Sequence, residues 1–282
     1  MDYFELMIDL VPRDPWAEIL VAQLAEVGYE SFVDTENGII AYAPVSDVNL
    51  DNPIENTFLE TDDLTEAGCK ASWKHNIIPK QNWNELWEKD FHPVHVDNLV
   101  TIYAPFHDSS CIVGMGVEIL PKMSFGTGHH QTTYLMSKAL FSIEPFPKNV
   151  LDMGTGTGVL AIISAKLGAD RILAVDIEPW SVENTIENAE RNLCEKIEVR
   201  CGDADVLNDE VFDLILANIN KNVLKAHIPT YADKLVQGGI LLISGFFNTD
   251  IEELQLFAQN HNFKIIATAS QDTWASLKMI KY

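Results

Sequence analysis

Two hydrophobic periods alternate along this chain. Residues 4–11 alternate apolar and polar positions as a half-buried strand does, and residues 15–27 repeat as an amphipathic helix that ends at Gly28. A returning strand is expected over 38–43, a loop over the Asp-, Asn- and Pro-rich stretch 47–56, a short helix over 62–68 and a further strand over 71–78. That order predicts a small α+β layer with helices on one face. Residues 82–90 read as a linking helix in which Trp83 and Trp87 stand one turn apart, as packing anchors rather than a substrate platform.

From residue 150 the rhythm changes. Short apolar runs at 150–153, 171–176, 196–201 and 212–218 read as strands, with helices over 179–193, 221–236 and 250–260. Gly238-Gly239 is expected to end the second of these helices, before a buried strand at 240–244 and two closing strands at 263–269 and 274–280. The connection 270–273 can only join antiparallel neighbours, because a parallel pair needs a long crossover. The expected fold class is therefore α/β, a mostly parallel doubly wound sheet with one reversed strand, plus a small N-terminal α+β domain. The corresponding bounds are 1–80, a linker helix at 81–94, and 95–282.

The richest stretch chemically is Val150-Leu151-Asp152-Met153-Gly154-Thr155-Gly156-Thr157-Gly158. An apolar run ends in an acid, three glycines alternate with small residues, and Val159 opens a helix. Glycine admits positive φ and lets a ligand approach the backbone. A helix start offers free N–H groups and a positive dipole end. Such a turn can cradle a nucleotide-like molecule. The dinucleotide pattern is met only in the looser register Gly156-x-Gly158-x-x-Ala161, so a nicotinamide-dependent oxidoreductase stays as an alternative. A cofactor-binding or docking module without catalysis is another. Asp176 ends the second strand of the series, where an acid reaches ribose hydroxyls in open α/β sheets, or else caps the next helix. Asn218 ends the strand 212–218, and faces the cradle or caps the helix after it.

Charge narrows the partner. The net charge of −23 disfavours a nucleic-acid substrate, since phosphate binding needs clustered Lys and Arg. It suits a basic protein, or simply solubility. Residues 1–92 carry 19 acids and 5 bases, so the N-terminal part is the more acidic per residue. Four cysteines without C-x-x-C spacing suggest neither a zinc site nor a disulfide framework. Neither a signal segment nor a membrane span is read.

The segment Met123-Ser124-Phe125-Gly126-Thr127-Gly128-His129-His130-Gln131-Thr132-Thr133 adds a resemblance. Its Phe-Gly-Thr-Gly-x-His-x-Thr-Thr core resembles that of the ribosomal protein L11 methyltransferases, the PrmA family, and Asn218-Ile219 is similar to that family's Asn-Ile pair. A weaker likeness runs along most of the chain, including Trp83, Trp87 and Phe91-His92-Pro93. Asp152-x-Gly154-x-Gly156-x-Gly158 likewise resembles the first motif of Rossmann-like S-adenosylmethionine-dependent methyltransferases. The resemblance implies a Rossmann-like methyltransferase domain that uses S-adenosyl-L-methionine and methylates lysine side chains and the N-terminal amine of ribosomal protein L11. It further implies residues 1–80 as the substrate-recognition domain, a cytoplasmic monomer, and no metal.

The cofactor contacts so implied are Thr133, Asp152, Gly154, Gly156, Gly158, Asp176, Asp203 and Asn218. Thr133 is expected at the methionine end, Asp203 near the adenine amino group, and Asn218 beside the methyl group as the catalytic, amine-orienting residue. His129 and Gln131 stand where the family has Thr and Pro, which bears only on the local loop conformation. His129 and His130 are expected to steady that loop rather than act as bases. Asn218-Ile219-Asn220-Lys221 lacks the Asn-Pro-Pro-aromatic sequence of enzymes that methylate glutamine or nucleobase amines. An amine acceptor must lose a proton before attack, and a neutral asparagine can orient it without opposing that loss.

Overall fold

The computed structural model describes residues 2–60, 68–79, 88 and 90–282. Most of the expected linking helix at 82–90, with Trp83 and Trp87, and most of the short helix at 62–68 lie outside the described residues. The chain divides into two compact units, Met1–Trp87 and Glu88–Tyr282.

In the first unit, strands β1 (Tyr3–Val11), β2 (Ser31–Asp34), β3 (Gly38–Pro44) and β4 (Lys70–Ile78) form an antiparallel sheet in the order β2-β3-β1-β4. Alternation along β1 sends Phe4, Leu6, Ile8 and Leu10 into the core. Helix α1 (Trp16–Glu26) supplies the other wall through Ala17, Leu20 and Leu24, spaced as one helical face. Each such fully buried leucine contributes roughly 1.5–3 kcal/mol. The strand β2 escaped prediction because its four mostly exposed residues are too few to display a period.

The second unit holds a small sheet, β5 (Val94–Val96), β6 (Val100–Tyr103) and β7 (Met115–Glu118), and a seven-stranded one. The strands of the large sheet are β8 (Asn149–Met153), β9 (Arg171–Asp176), β10 (Ile197–Cys201), β11 (Phe212–Asn218), β12 (Leu235–Phe247), β13 (Phe263–Gln271) and β14 (Trp274–Lys281). Their order is β10-β9-β8-β11-β12-β14-β13, parallel except for β14, which runs antiparallel to both neighbours. Among the described residues five helices cover it: α2 (Gln131–Leu140), α3 (Val159–Lys166), α4 (Pro179–Arg191), α5 (Lys221–Lys234) and α6 (Ile251–Gln259).

The period of two along the strands divides the interior into two cores, as a sheet covered on both faces requires. Val150, Ile172, Ala174, Leu214 and Leu216 join Met136 and Leu140 of α2 and residues 159–163 of α3 on one face. Leu151, Leu173, Val175, Ile215 and Ala217 join Leu224, Ile228 and Tyr231 of α5 and Leu254 and Ala258 of α6 on the other. Helix α5 stops at Lys234, earlier than expected, because Leu235 is buried, extended and paired with Phe212. Gly238 therefore lies in an irregular stretch of β12 and does not cap the helix.

Candidate cofactor site

The chain moves from β8 to β9 on one side and returns to β11 on the other, so the ends of β8 and β11 diverge. Such a topological switch point is where open α/β sheets bind ligands. A cleft of about 420 Å³ lies there. Gly154, Gly156, Asp176, Asp203 and Asn218 line it, so the fold gathers five of the eight expected contacts in one place. Thr133, Asp152 and Gly158 are not among the lining residues.

The glycine turn is shaped by close approach. Gly154 has φ +71°, and a Cβ there would sit 2.3 Å from Cγ2 of Ile219. Gly156 has φ +60°, and its Cβ would sit 2.2 Å from the carbonyl oxygen of Phe125. Thr157 secures that approach, its N–H donating to Phe125 O at 2.9 Å and its hydroxyl to Gly126 O at 2.7 Å. The Phe-Gly-Thr-Gly segment therefore lies directly on the glycine turn, which spacing alone could not reveal.

The N–H groups of the turn itself are taken within the protein. Those of Gly154 and Thr155 donate to Val175 O, Gly156 to Asp176 Oδ2 at 2.9 Å, and Gly158 to Thr155 O. Asp152 lies behind the turn, fully buried, where its Oδ2 accepts from the Thr155 hydroxyl at 2.8 Å and from the Ala161 N–H at 3.1 Å. The start of α3 is thus answered by the chain's own carboxylate. Burial pushes the pKa of that carboxyl up to about 7. Asp152 shapes the cradle from beneath, and Gly158 closes it as the residue before α3.

Asn218 and Asn220 have separate tasks. The side chain of Asn220 accepts from the Val223 N–H at 3.1 Å and caps α5, so Asn218 is not the cap. Oδ1 of Asn218 is buried and has no hydrogen-bond partner among the described residues. Thr133, in the first turn of α2, is fully buried with its hydroxyl equally unpartnered. Buried polar atoms of this kind are costly unless something meets them.

The remaining walls carry weaker sequence signals. Ile177 directly follows Asp176 and is well exposed, as are Met123, Phe125 and Trp180, and all four line the cleft. Exposed apolar groups gathered in a concavity mark a ligand surface. The signal for Ile177 was its place after the strand-ending acid. His129 and His130 act locally: His129 Nε2 donates to His92 O at 2.9 Å, and His130 Nδ1 accepts from the Thr132 N–H to cap α2. Burial lowers the pKa of His130.

A row of asparagines has no counterpart among the sequence expectations. Asn184 and Asn188 on α4 and Asn192 at its C-terminal cap stand four residues apart. Asn192 takes the N–H of Glu118 and returns an N–H to its carbonyl, Asn188 accepts from Leu120 N–H, and Asn184 donates to Leu120 O. Asn188 also donates to Thr157 O at 2.9 Å. These amides imitate a neighbouring strand for the chain that leads out of β7 into the cleft wall.

Among the described residues, the lining of the cleft carries three acids, Asp176, Glu178 and Asp203, and neither Lys nor Arg. A cationic or neutral ligand suits that lining, and a polyphosphate does not.

Strand order, reversed β14, glycine turn and strand-end acids together define a Rossmann-like methyltransferase. Comparison with known proteins narrows the class. A family model described as ribosomal protein L11 methyltransferase (PrmA) matches residues 20–282. A protein of Porphyromonas gingivalis with that name is 42% identical over 264 residues, covering 93% of this chain and 89% of its own. One of Bacteroides fragilis is 35% identical over 283 residues, covering 99% and 100%. The crystal structure of a ribosomal protein L11 methylase from Lactobacillus delbrueckii subsp. bulgaricus superposes with a TM-score of 0.63 at 28% identity, over 68% of this chain and 100% of that one. The chain belongs to the ribosomal protein L11 methyltransferase family.

Proposed function

We propose that this protein transfers methyl groups from S-adenosyl-L-methionine to lysine side chains and the N-terminal amine of ribosomal protein L11. The observation that carries the cofactor reading is the charge of the cleft. Three acids and, among the described residues, neither Lys nor Arg line it, and the N–H groups of the glycine turn are already bonded within the protein. A nicotinamide dinucleotide needs those N–H groups for its pyrophosphate, whereas a sulfonium cation needs none of them. In this reading Asp176 meets the vicinal hydroxyls and the unpartnered Asn218 Oδ1 accepts an amine hydrogen, while the Thr133 hydroxyl, fully buried and outside the lining, supports the wall from behind.

The bound cofactor supplies an activated methyl group, so the protein's task is alignment. Asn218 accepts one hydrogen of the incoming amine at Oδ1 and turns the nitrogen lone pair toward the methyl carbon. Its neutrality leaves the ammonium free to lose a proton to solvent, which a carboxylate at that place would resist. The acidic first unit attracts the basic substrate protein. No helix among the described residues is long and apolar enough to cross a membrane. In this reading the enzyme is a cytoplasmic monomer with a protein, not a nucleic acid, as substrate.

Two measurements test the proposal. Calorimetric titration is expected to register S-adenosylmethionine and not NAD; the reverse result would sink the cofactor reading. Radiolabelled cofactor with purified ribosomal proteins is expected to label L11 on amines, and label on RNA or on glutamine would sink the acceptor reading.

A further inference from the structure

Three residues from two parts of the chain meet at one end of the cleft. Asp203 follows β10 and begins the turn at Ala204–Leu207, where its Oδ1 accepts from the Ala204 N–H at 2.7 Å. His227, two turns into α5, brings Nε2 to 3.2 Å from that same Oδ1. Nδ1 of His227 lies 3.3 Å from the hydroxyl of Tyr231, one turn further along the helix. Tyr231 is fully buried, and burial raises its pKa, so the hydroxyl keeps its proton and serves as a donor. One assignment of hydrogens satisfies the chain: Tyr231 donates to Nδ1, and Nε2–H donates to Asp203. Both Asp203 and His227 line the cleft.

The relay has a chemical consequence. With Oδ1 held twice, by a backbone N–H and an imidazole N–H, Oδ2 of Asp203 has no protein partner among the described residues. The carboxylate is pinned in direction and presents one acceptor to the ligand. Residues Asn218, Gly154, Asp176 and Asp203 stand at or just after the ends of β11, β8, β9 and β10, and neighbouring strands carry them in spatial order across the sheet β11-β8-β9-β10. Asp203 therefore stands at the extreme of that row, beyond the acid suited to a sugar, with the apolar Ile177 and Val223 lining the same cleft. A flat ring with an exocyclic donor meets that combination.

We infer that the Tyr231–His227–Asp203 relay selects an amino-purine over an oxo-purine on the cofactor, His227 being the positioning residue that fixes Asp203. This rests on the S-adenosylmethionine reading. A six-amino group donates to Oδ2, whereas a six-oxo group sets two acceptors against each other. Without His227, Asp203 can rotate toward water, and the discrimination weakens.

The test compares binding of S-adenosylhomocysteine with its inosine counterpart, which differs at that exocyclic position. Wild-type protein is expected to prefer the adenosine compound at least about tenfold, and His227→Ala to lose about fivefold of that preference. His227→Gln, whose Nε2 can donate at the same place, is expected to recover it, and Tyr231→Phe to fall between. Equal weakening of both ligands in His227→Ala, with the preference intact, would show a merely structural histidine and overturn the inference. Equal binding of both ligands by wild type would overturn it too, leaving the cofactor reading standing. Binding of neither would overturn both.

Discussion

Alanine at position 156 tests whether the glycine turn and the Phe125–Gly128 segment form one joint. The new Cβ would lie 2.2 Å from a backbone oxygen, over an ångström short of ordinary contact near 3.4 Å, and no side-chain rotation relieves it. The left-handed φ costs roughly 1–2 kcal/mol for a non-glycine residue. Moving Phe125 away breaks the two hydrogen bonds from Thr157, at about 1 kcal/mol each. The expected loss of stability is therefore about 3–4 kcal/mol. Gly168 is the control, since it has φ +105° and a Cβ added there would meet nothing within 4 Å, so Gly168→Ala carries the backbone strain alone. Urea unfolding and calorimetric titration with S-adenosylmethionine are the assays. Gly168→Ala is expected to lose about 1–2 kcal/mol and keep its affinity; Gly156→Ala loses roughly 2 kcal/mol more and at least about tenfold in affinity. Equal costs at the two glycines, or wild-type affinity in Gly156→Ala, would refute the joint.

The two asparagines after β11 are expected to separate stability from turnover. Asn220→Ala should cost about 1 kcal/mol through its lost cap, while Asn218→Ala, which forfeits no internal bond at Oδ1, should melt near wild type and lose at least about tenfold in turnover at saturating substrate; full turnover would remove Asn218 from the mechanism. The buried Asp152 carries a pH dependence. Its folded pKa of about 7 exceeds the ordinary 3.8, so the folded state holds a proton the unfolded chain releases. The stability this lends is full below about pH 4 and lost as pH rises to 7, at up to about 1.4 kcal/mol per unit. Asp152→Asn should abolish that slope, so denaturant unfolding from pH 4 to 8 should give a wild-type-minus-variant difference that declines with pH; a constant difference would refute burial as the cause. Asn188→Leu should cost at least about 2 kcal/mol by stranding the Leu120 N–H and Thr157 O, and an unchanged unfolding midpoint would contradict the bonding described.

Elements with several residues of clean period were readable from the chain: β9, the strand β11, the closing hairpin of β13 and β14, and helix α4 each begin and end within about two residues of expectation. What lay hidden was short or non-local. Strands β5, β6 and β7 have three or four residues each, too few to show alternation, and α2 begins inside a motif that reads as loop. Of the site, the glycines and strand-end acids were visible because strand, turn and helix are local signals. The duty of Asp152 was not, since distinguishing a carboxylate behind the turn from one in the cleft requires the direction of its side chain. Nor could spacing place His227 against Asp203, twenty-four positions upstream and on another element.

The asparagine row on α4 carries one more consequence. Helix α4, the chain from Glu118 to Leu120, and Thr157 of the glycine turn share hydrogen bonds that none can break alone. Their amides should exchange with solvent deuterium as one cooperative unit, at a common opening free energy, although they are scattered over some seventy residues of sequence. The rim of the cleft would then be rigid or open as a whole, and a ligand that steadies the glycine turn would slow exchange at the far end of α4, where it touches nothing.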